Sequence, residues 1–228
     1  MIKGLVFDFD GVILETEGAE FAAISEVFAE YGCIISPESY SRMVGTTAAH
    51  ADFSVYEDLE SQLGHPVDHD AVRAEWAARH SVLIDALPAM PGVRENIAAA
   101  KRLGLRLAVA SASRHPWVDG YLKHLGLYDQ FDTVVCREDV QNSKPAPDAY
   151  LLALERLGLS ADEAIAFEDS GSGSLAAVRA GIFVVVIPHA LTLYHDLSHA
   201  DLRLNSMLDI SLEDLIALVE KRQAEAIR

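Results

Sequence analysis

Five short stretches of the chain are apolar almost without interruption, instead of alternating with polar positions. Residues 2–9, 105–110, 133–136, 164–167 and 183–187 read this way, which predicts strands buried on both faces, as in a parallel sheet. Between the later four lie helical patterns of roughly ten to fifteen residues, the spacing of βαβ units. Pro91-Gly92-Val93 opens a predicted helix that Gly104 closes. The stretch 115–125 carries Val118, Tyr121, Leu122 and Leu125 on one face and stops at Gly126. Residues 147–157 group Tyr150, Leu151, Leu154 and Leu157, and 174–180 ends at Gly181. Ser211 is placed to cap a last helix that turns Leu212, Leu215, Ile216 and Val219 inward.

The first connection breaks this rhythm. From Glu15 to Leu87 only helical periodicity appears. Phe21, Ile24, Val27, Phe28 and Tyr31 form a stripe that ends at Gly32. Ser36-Pro37-Glu38 reads as an N-cap, a first-turn proline and an acidic first turn. Further stripes run through Phe53, Tyr56, Leu59 and Leu63, then through Val72, Trp76 and Leu83. The expected architecture is α/β: a Rossmann-like parallel-sheet core from 1–14 and 88–228, with a helical cap, 15–87, inserted after strand one. An insert there stands over the sheet edge where open α/β folds bind ligands.

Composition narrows the function classes. The 228 residues are 50% hydrophobic and 23% charged, which fits a packed globular chain rather than a disordered one. The formal net charge of −17 argues against nucleic acid or an anionic membrane as partner. Only His65 and His69 have helical spacing for a shared metal, and Pro66 lies between them, so no structural zinc site is expected. Cys33 and Cys136 cannot form a disulfide framework and read as buried free thiols of a reducing compartment. The N-terminus reaches Asp8 too early for a signal peptide, and no apolar run has the length of a bilayer span. A cytoplasmic protein, monomeric or weakly dimeric, is expected.

The chemistry collects where the strands end. Asp8-Phe9-Asp10-Gly11 follows strand one and Ser111-Ala112-Ser113-Arg114 follows strand two. Lys144-Pro145 follows strand three, and Glu168-Asp169-Ser170 ends strand four. Taken singly, each has an ordinary explanation: turn-forming aspartates, a serine satisfying a strand-end amide, a surface lysine, a helix cap. Taken together they do not, because C-terminal strand ends of a parallel sheet share one edge. Four carboxylates there would repel by several kcal/mol unless something positive offset them. A hard divalent cation with oxygen ligands fits, and Mg²⁺ is suited to few carboxylates plus water and substrate phosphate.

These motifs, in this order and covering nearly the whole chain, resemble the haloacid dehalogenase superfamily. The likeness is to its branch of small phosphatases and β-phosphoglucomutase-like proteins with a helical cap. The resemblance implies that Asp8 attacks phosphorus to form an aspartyl phosphate and that Asp10 serves as general acid, then base. It implies that Mg²⁺ is held by Asp8, the Asp10 carbonyl and Asp169, with Glu168 as a further ligand or behind one. Ser111 and the Ala112 amide would hold phosphoryl oxygens, and Lys144 would neutralise charge on Asp8 and the phosphoryl group. Thr16 and Ser113 belong to the same resemblance, on the β-phosphoglucomutase side.

Within that superfamily, Asp10 argues against carbon–halogen cleavage, because dehalogenases lack the second aspartate. None of the five lysines falls between Glu15 and Leu87, which removes the Schiff-base chemistry of phosphonoacetaldehyde hydrolases. The mutase reading is closer. β-Phosphoglucomutases carry a cap histidine where Glu20 stands and a cap arginine just after the segment Val44-Gly45-Thr46-Thr47-Ala48. Neither basic residue is present, and a mutase must grip a second phosphate. Arg114 could do so from the core, and Arg42 is a weaker candidate from the cap. Glu20, Thr46 and Thr47 are the polar cap residues expected near the pocket; His50 is a further candidate but reads rather as an exposed helix residue, and Trp76 and Trp117 read as packing. The expected activity is therefore Mg²⁺-dependent hydrolysis of a small phosphorylated metabolite, a sugar phosphate by resemblance. A sugar phosphomutase is the alternative, and a non-catalytic binding module of the same fold is the second.

Overall fold

The computed structural model describes residues 1–44 and 53–226. Six parallel strands form one sheet in the order β3-β2-β1-β4-β5-β6. They are β1 (Gly4–Phe7), β2 (Arg106–Ala110), β3 (Thr133–Val135), β4 (Ala164–Glu168), β5 (Phe183–Val186) and β6 (Leu202–Arg203). Five were legible as apolar runs. β6 was not, because it is two residues long and half-exposed at the sheet edge.

Alternation along the strands sorts the core into two layers. Leu5, Phe7, Leu107, Val109, Ile165 and Phe167 face one side, under α5 (Val93–Arg102), α6 (His115–His124) and α9 (Leu212–Ala226). Val6, Ala108, Ala110, Ala164 and Ala166 face the other, under α7 (Asp148–Leu157) and α8 (Gly171–Arg179). The alanines let α7 approach the sheet closely, and Tyr150 of α7 is fully buried there. Ser211 Oγ accepts from the Asp214 amide at 3.1 Å and starts α9 as the sequence pattern predicts.

Between β1 and α5 the described residues build four helices: α1 (Thr16–Glu30), α2 (Pro37–Ser41), α3 (Val55–Leu63) and α4 (His69–Ile84). Ser36 Oγ caps α2 by accepting from the Ser39 amide at 3.0 Å. Ile24, Val27, Phe28, Tyr40, Leu59 and Val72 form a cluster separate from the two sheet layers, with Phe21 and Trp76 packed against it. The Trp76 indole donates to the Glu20 carbonyl at 3.1 Å, a packing role as expected. Among the described residues, no helix is long and apolar enough to cross a membrane.

Candidate active site

β1 lies between β2 and β4, in register with both: Phe7 pairs with Val109 on one side and Phe167 on the other. That register brings Asp8 alongside the ends of both neighbours, so three central strands deliver Asp8, Ser111 and Glu168-Asp169 to one edge. After Asp10 the chain turns sharply. Gly11 sits at φ 75°, and a Cβ there would collide with the Asp169 carboxylate, so this glycine permits both the turn and the close approach of β4's end.

Lys144 comes from the long loop after β3, through a cis peptide to Pro145, and is buried between two carboxylates. Its Nζ lies 2.9 Å from Asp8 Oδ1 and 2.7 Å from Glu168 Oε1. Burial alone would lower the Lys144 pKa, but these carboxylates hold the ammonium above its usual range. Glu168 is fully enclosed. Its Oε1 also accepts from the Tyr150 hydroxyl at 2.6 Å, and its Oε2 from the Ser170 hydroxyl at 3.3 Å and the Asp169 amide at 3.2 Å. A Cβ at Gly173 would strike this carboxylate, so the first turn of α8 closes over it only with glycine there.

Carboxylate oxygens of Asp8, Glu168 and Asp169 lie within 4.8 Å of one another, all three residues buried. Burial, then repulsion from Glu168, pushes Asp8 well above the ordinary carboxylate range, with Lys144 opposing. Asp169 is raised for the same reasons in the same order. An all-oxygen donor set carrying more negative charge than Lys144 offsets fits a hard divalent cation. His189 Nε2 lies 3.0 Å from Asp169 Oδ2, and burial lowers this histidine's pKa, with Glu15 opposing.

Asp10 accepts three hydrogen bonds: from Thr16 Oγ1 at 2.9 Å and the Trp117 indole at 2.9 Å, both to Oδ1, and from Ser113 Oγ at 2.6 Å to Oδ2. Ser111 is buried and its Oγ accepts from the Ser113 amide at 3.0 Å. A cavity of about 460 Å³ opens above these groups. Asp8, Asp10, Ala112, Ser113, Lys144 and Asp169 line its floor; Thr16, Glu17, Glu20, Tyr40 and His80 come from the helical insert. Glu17 is pushed well up by burial, and further by Glu20 and Asp10. Burial also raises Glu20, against a hydrogen bond from the Tyr40 hydroxyl.

The expected floor residues are thus brought together, with Ser111 and Glu168 just beneath the surface. Arg114 is not with them: it is exposed at the N-cap of α6, outside the described lining of the cavity. Arg42 is likewise exposed, its guanidinium 5.7 Å from the Phe53 ring. Thr46, Thr47 and His50 lie outside the described residues. Several lining residues went unread, Glu17, Trp117 and His80 among them. Glu17 stands at i, i+3 to Glu20 and so on the same helix face, a spacing that could have found it. Trp117 was assigned to packing by its stripe, yet its N–H reaches Asp10. His80 carried no signal, since nothing in the sequence orients α4. Cys33 and Cys136 are buried and free, and burial pushes the Cys136 thiol up to about 12, far from reactive.

The profile of the haloacid dehalogenase-like hydrolases matches residues 5–187. YhcW of Bacillus subtilis (strain 168) is 40% identical over 95% of this chain and 97% of its own length. The fructose-1-phosphate phosphatase YqaB of Escherichia coli (strain K12) is 31% identical over 80% of this chain and 94% of its own. Among solved structures, a CbbY variant from Rhodobacter sphaeroides in complex with xylulose-(1,5)bisphosphate superposes with a TM-score of 0.71. It is 30% identical and covers 93% of this chain and 98% of its own.

Proposed function

The chain belongs to the haloacid dehalogenase-like hydrolase family and is a phosphatase of it, and on that premise we propose that it hydrolyses a sugar monophosphate through an aspartyl phosphate on Asp8. The core would comprise 1–14 and 88–228 and the cap 15–87, acting as a cytoplasmic monomer or weak homodimer. The observation that carries the reading is the buried triad Asp8–Lys144–Glu168, in which a cation 2.9 Å from the nucleophile lets one anion approach another.

In the first step an Asp8 carboxylate oxygen forms a bond to phosphorus as the bond to the leaving oxygen breaks. Asp10 gives its proton to that leaving alkoxide. Water then attacks phosphorus, Asp10 takes its proton, and phosphate departs from a regenerated Asp8 carboxylate. Lys144 neutralises charge on Asp8 and on the phosphoryl oxygens, while Glu168, with both oxygens engaged by donors, keeps Lys144 in place. Ser111, Ala112 and Ser113 stand at the end of β2, where hydroxyls and amides can take the remaining phosphoryl oxygens. Asp8, Asp169 and the Asp10 carbonyl would hold Mg²⁺, with Glu168 behind them. When bound, the ion supplies charge neutralisation for the nucleophile and the transferring group.

The roof supports hydrolysis of a monophosphate over mutase chemistry. Among the described lining residues the insert offers Glu17, Glu20 and Tyr40 but no lysine or arginine, so a second phosphate would meet carboxylates. Hydroxyls of a sugar suit these acceptors, and a Glu17 held toward its protonated form can also donate. The test is phosphate release, with Mg²⁺, from a panel of sugar monophosphates and bisphosphates by the wild type and Asp8→Asn. Release from monophosphates that disappears in Asp8→Asn is expected. Isomerisation of β-glucose 1-phosphate primed by a bisphosphate, with little release, would show a mutase; activity retained in Asp8→Asn would refute the nucleophile.

A further inference from the structure

Trp117 has a place in the site that packing alone does not explain. It lies in the first turn of α6, and its indole N–H points at the carboxylate of Asp10, 2.9 Å from Oδ1. The other two donors on Asp10 are hydroxyls, Thr16 Oγ1 and Ser113 Oγ. A hydroxyl can reverse its bond and accept; an indole N–H only donates. Trp117 therefore commits Oδ1 to the role of acceptor, whereas Oδ2 is held by a group that can give or take a proton.

The indole is itself held from both sides. One neighbour is His80 of α4, with ring centroids 5.7 Å apart and planes inclined by 34°. His80 belongs to the insert; its ring hydrogen-bonds the Thr16 backbone, while its Nε2 is buried without a hydrogen-bond partner among the described residues, and its face backs the indole. The other neighbour is Tyr121, one turn along α6, edge-on at 4.8 Å. The Tyr121 hydroxyl donates to Asp85 Oδ1 at 3.1 Å, at the C-cap of α4 where the insert returns to the sheet. Trp117 thus touches the proposed acid–base residue with its edge and the insert with its face.

We infer that Trp117 is a positioning residue for Asp10: its N–H fixes Oδ1 so that Oδ2 exchanges the proton with substrate, and the insert, through His80, sets the indole in place. The inference rests on the acid–base reading of Asp10. Its consequence is selective. A poor, alkoxide leaving group needs the proton; nitrophenolate departs without one. kcat/KM reports only the steps through formation of the aspartyl phosphate, so the later attack of water does not obscure the comparison.

The experiment compares kcat/KM for the fastest sugar monophosphate of the panel with that for p-nitrophenyl phosphate, both with Mg²⁺. Trp117→Phe keeps the ring against His80 and Tyr121 and removes the N–H. We expect it to lower the sugar value about tenfold and the aryl value less than about twofold, the scale of one charge-assisted hydrogen bond. His80→Ala, which leaves the N–H but removes its backing, should act in the same direction by about threefold. It also carries the test if circular dichroism shows Trp117→Phe to be misfolded. Equal losses on both substrates, or none on either, would overturn the inference. Asp10→Asn separates the two readings: if it fails to discriminate between the substrates, the acid–base role falls first and the positioning role with it.

Discussion

The floor and the roof of the cavity are built on opposite electrostatic plans. On the floor a buried lysine offsets part of the carboxylate charge, Lys144 pairing with Asp8 and Glu168 and Glu168 further with Tyr150 and Ser170, and the excess at Asp8 and Asp169 is where a divalent cation fits. On the roof, the described lining residues of the insert offer Glu17 and Glu20 no lysine or arginine, and burial drives both toward their neutral forms. A floor of paired charges suits a dianionic phosphoryl group that is always the same. A roof of acceptors and near-neutral acids suits hydroxyls, whose arrangement differs from one substrate to the next.

The largest break in this contrast comes from Lys144→Met. It leaves Asp8 and Glu168 buried without their cation, which should abolish phosphate release and destabilise the protein by about 3–5 kcal/mol. Urea titration and activity assays check the two effects together; a stable, active variant would dissolve the distinction between floor and roof. Asp10→Asn should slow turnover of a sugar phosphate by about two orders of magnitude or more while the fold remains intact. On the roof, Glu20→Gln keeps the shape and removes only charge. It should change KM by less than about tenfold at nearly constant kcat, as expected when uniform binding is altered. If it cost as much as Asp10→Asn, Glu20 would belong with the chemistry.

The gentlest test uses pH. Asp8 and Asp169 have native pKa values raised above the ordinary range, so the folded protein retains protons that the unfolded chain has already released. Stability of the metal-free protein therefore falls as pH rises from the ordinary carboxylate range through the raised values. A cation at these oxygens reverses the trend. The gain in Tm on adding Mg²⁺ should be larger at about pH 8 than at about pH 5. A gain independent of pH would place the ion elsewhere.

The same contrast explains what the sequence disclosed. Asp8, Ser111 and Glu168 were legible because a parallel sheet brings its C-terminal strand ends to one edge whatever the side chains do. Lys144 was read at the same edge because it follows strand three, but its role came only through the family pattern, since a loop of this length could have carried it anywhere. Roof residues depend on how each helix is rotated, and a polar residue in a first turn, such as Glu17, reads equally well as a partner for the helix dipole. Trp117 shows the sharper limit. Its apolar body obeys the packing stripe, and its single polar atom does the unexpected work. β6 escaped because two half-exposed residues at an edge leave no periodic trace.

Every step of the proposed reaction depends on Asp8 carrying the phosphoryl group. Acid-quenching the enzyme during turnover of a sugar monophosphate, then reducing with borohydride, converts an acyl phosphate to its alcohol, which peptide mass spectrometry can locate. Reduction at Asp8, absent without substrate, is the predicted result. Phosphate release at full rate with Asp8 unmodified, or with the reduced position at Asp10 or Asp169, would contradict it.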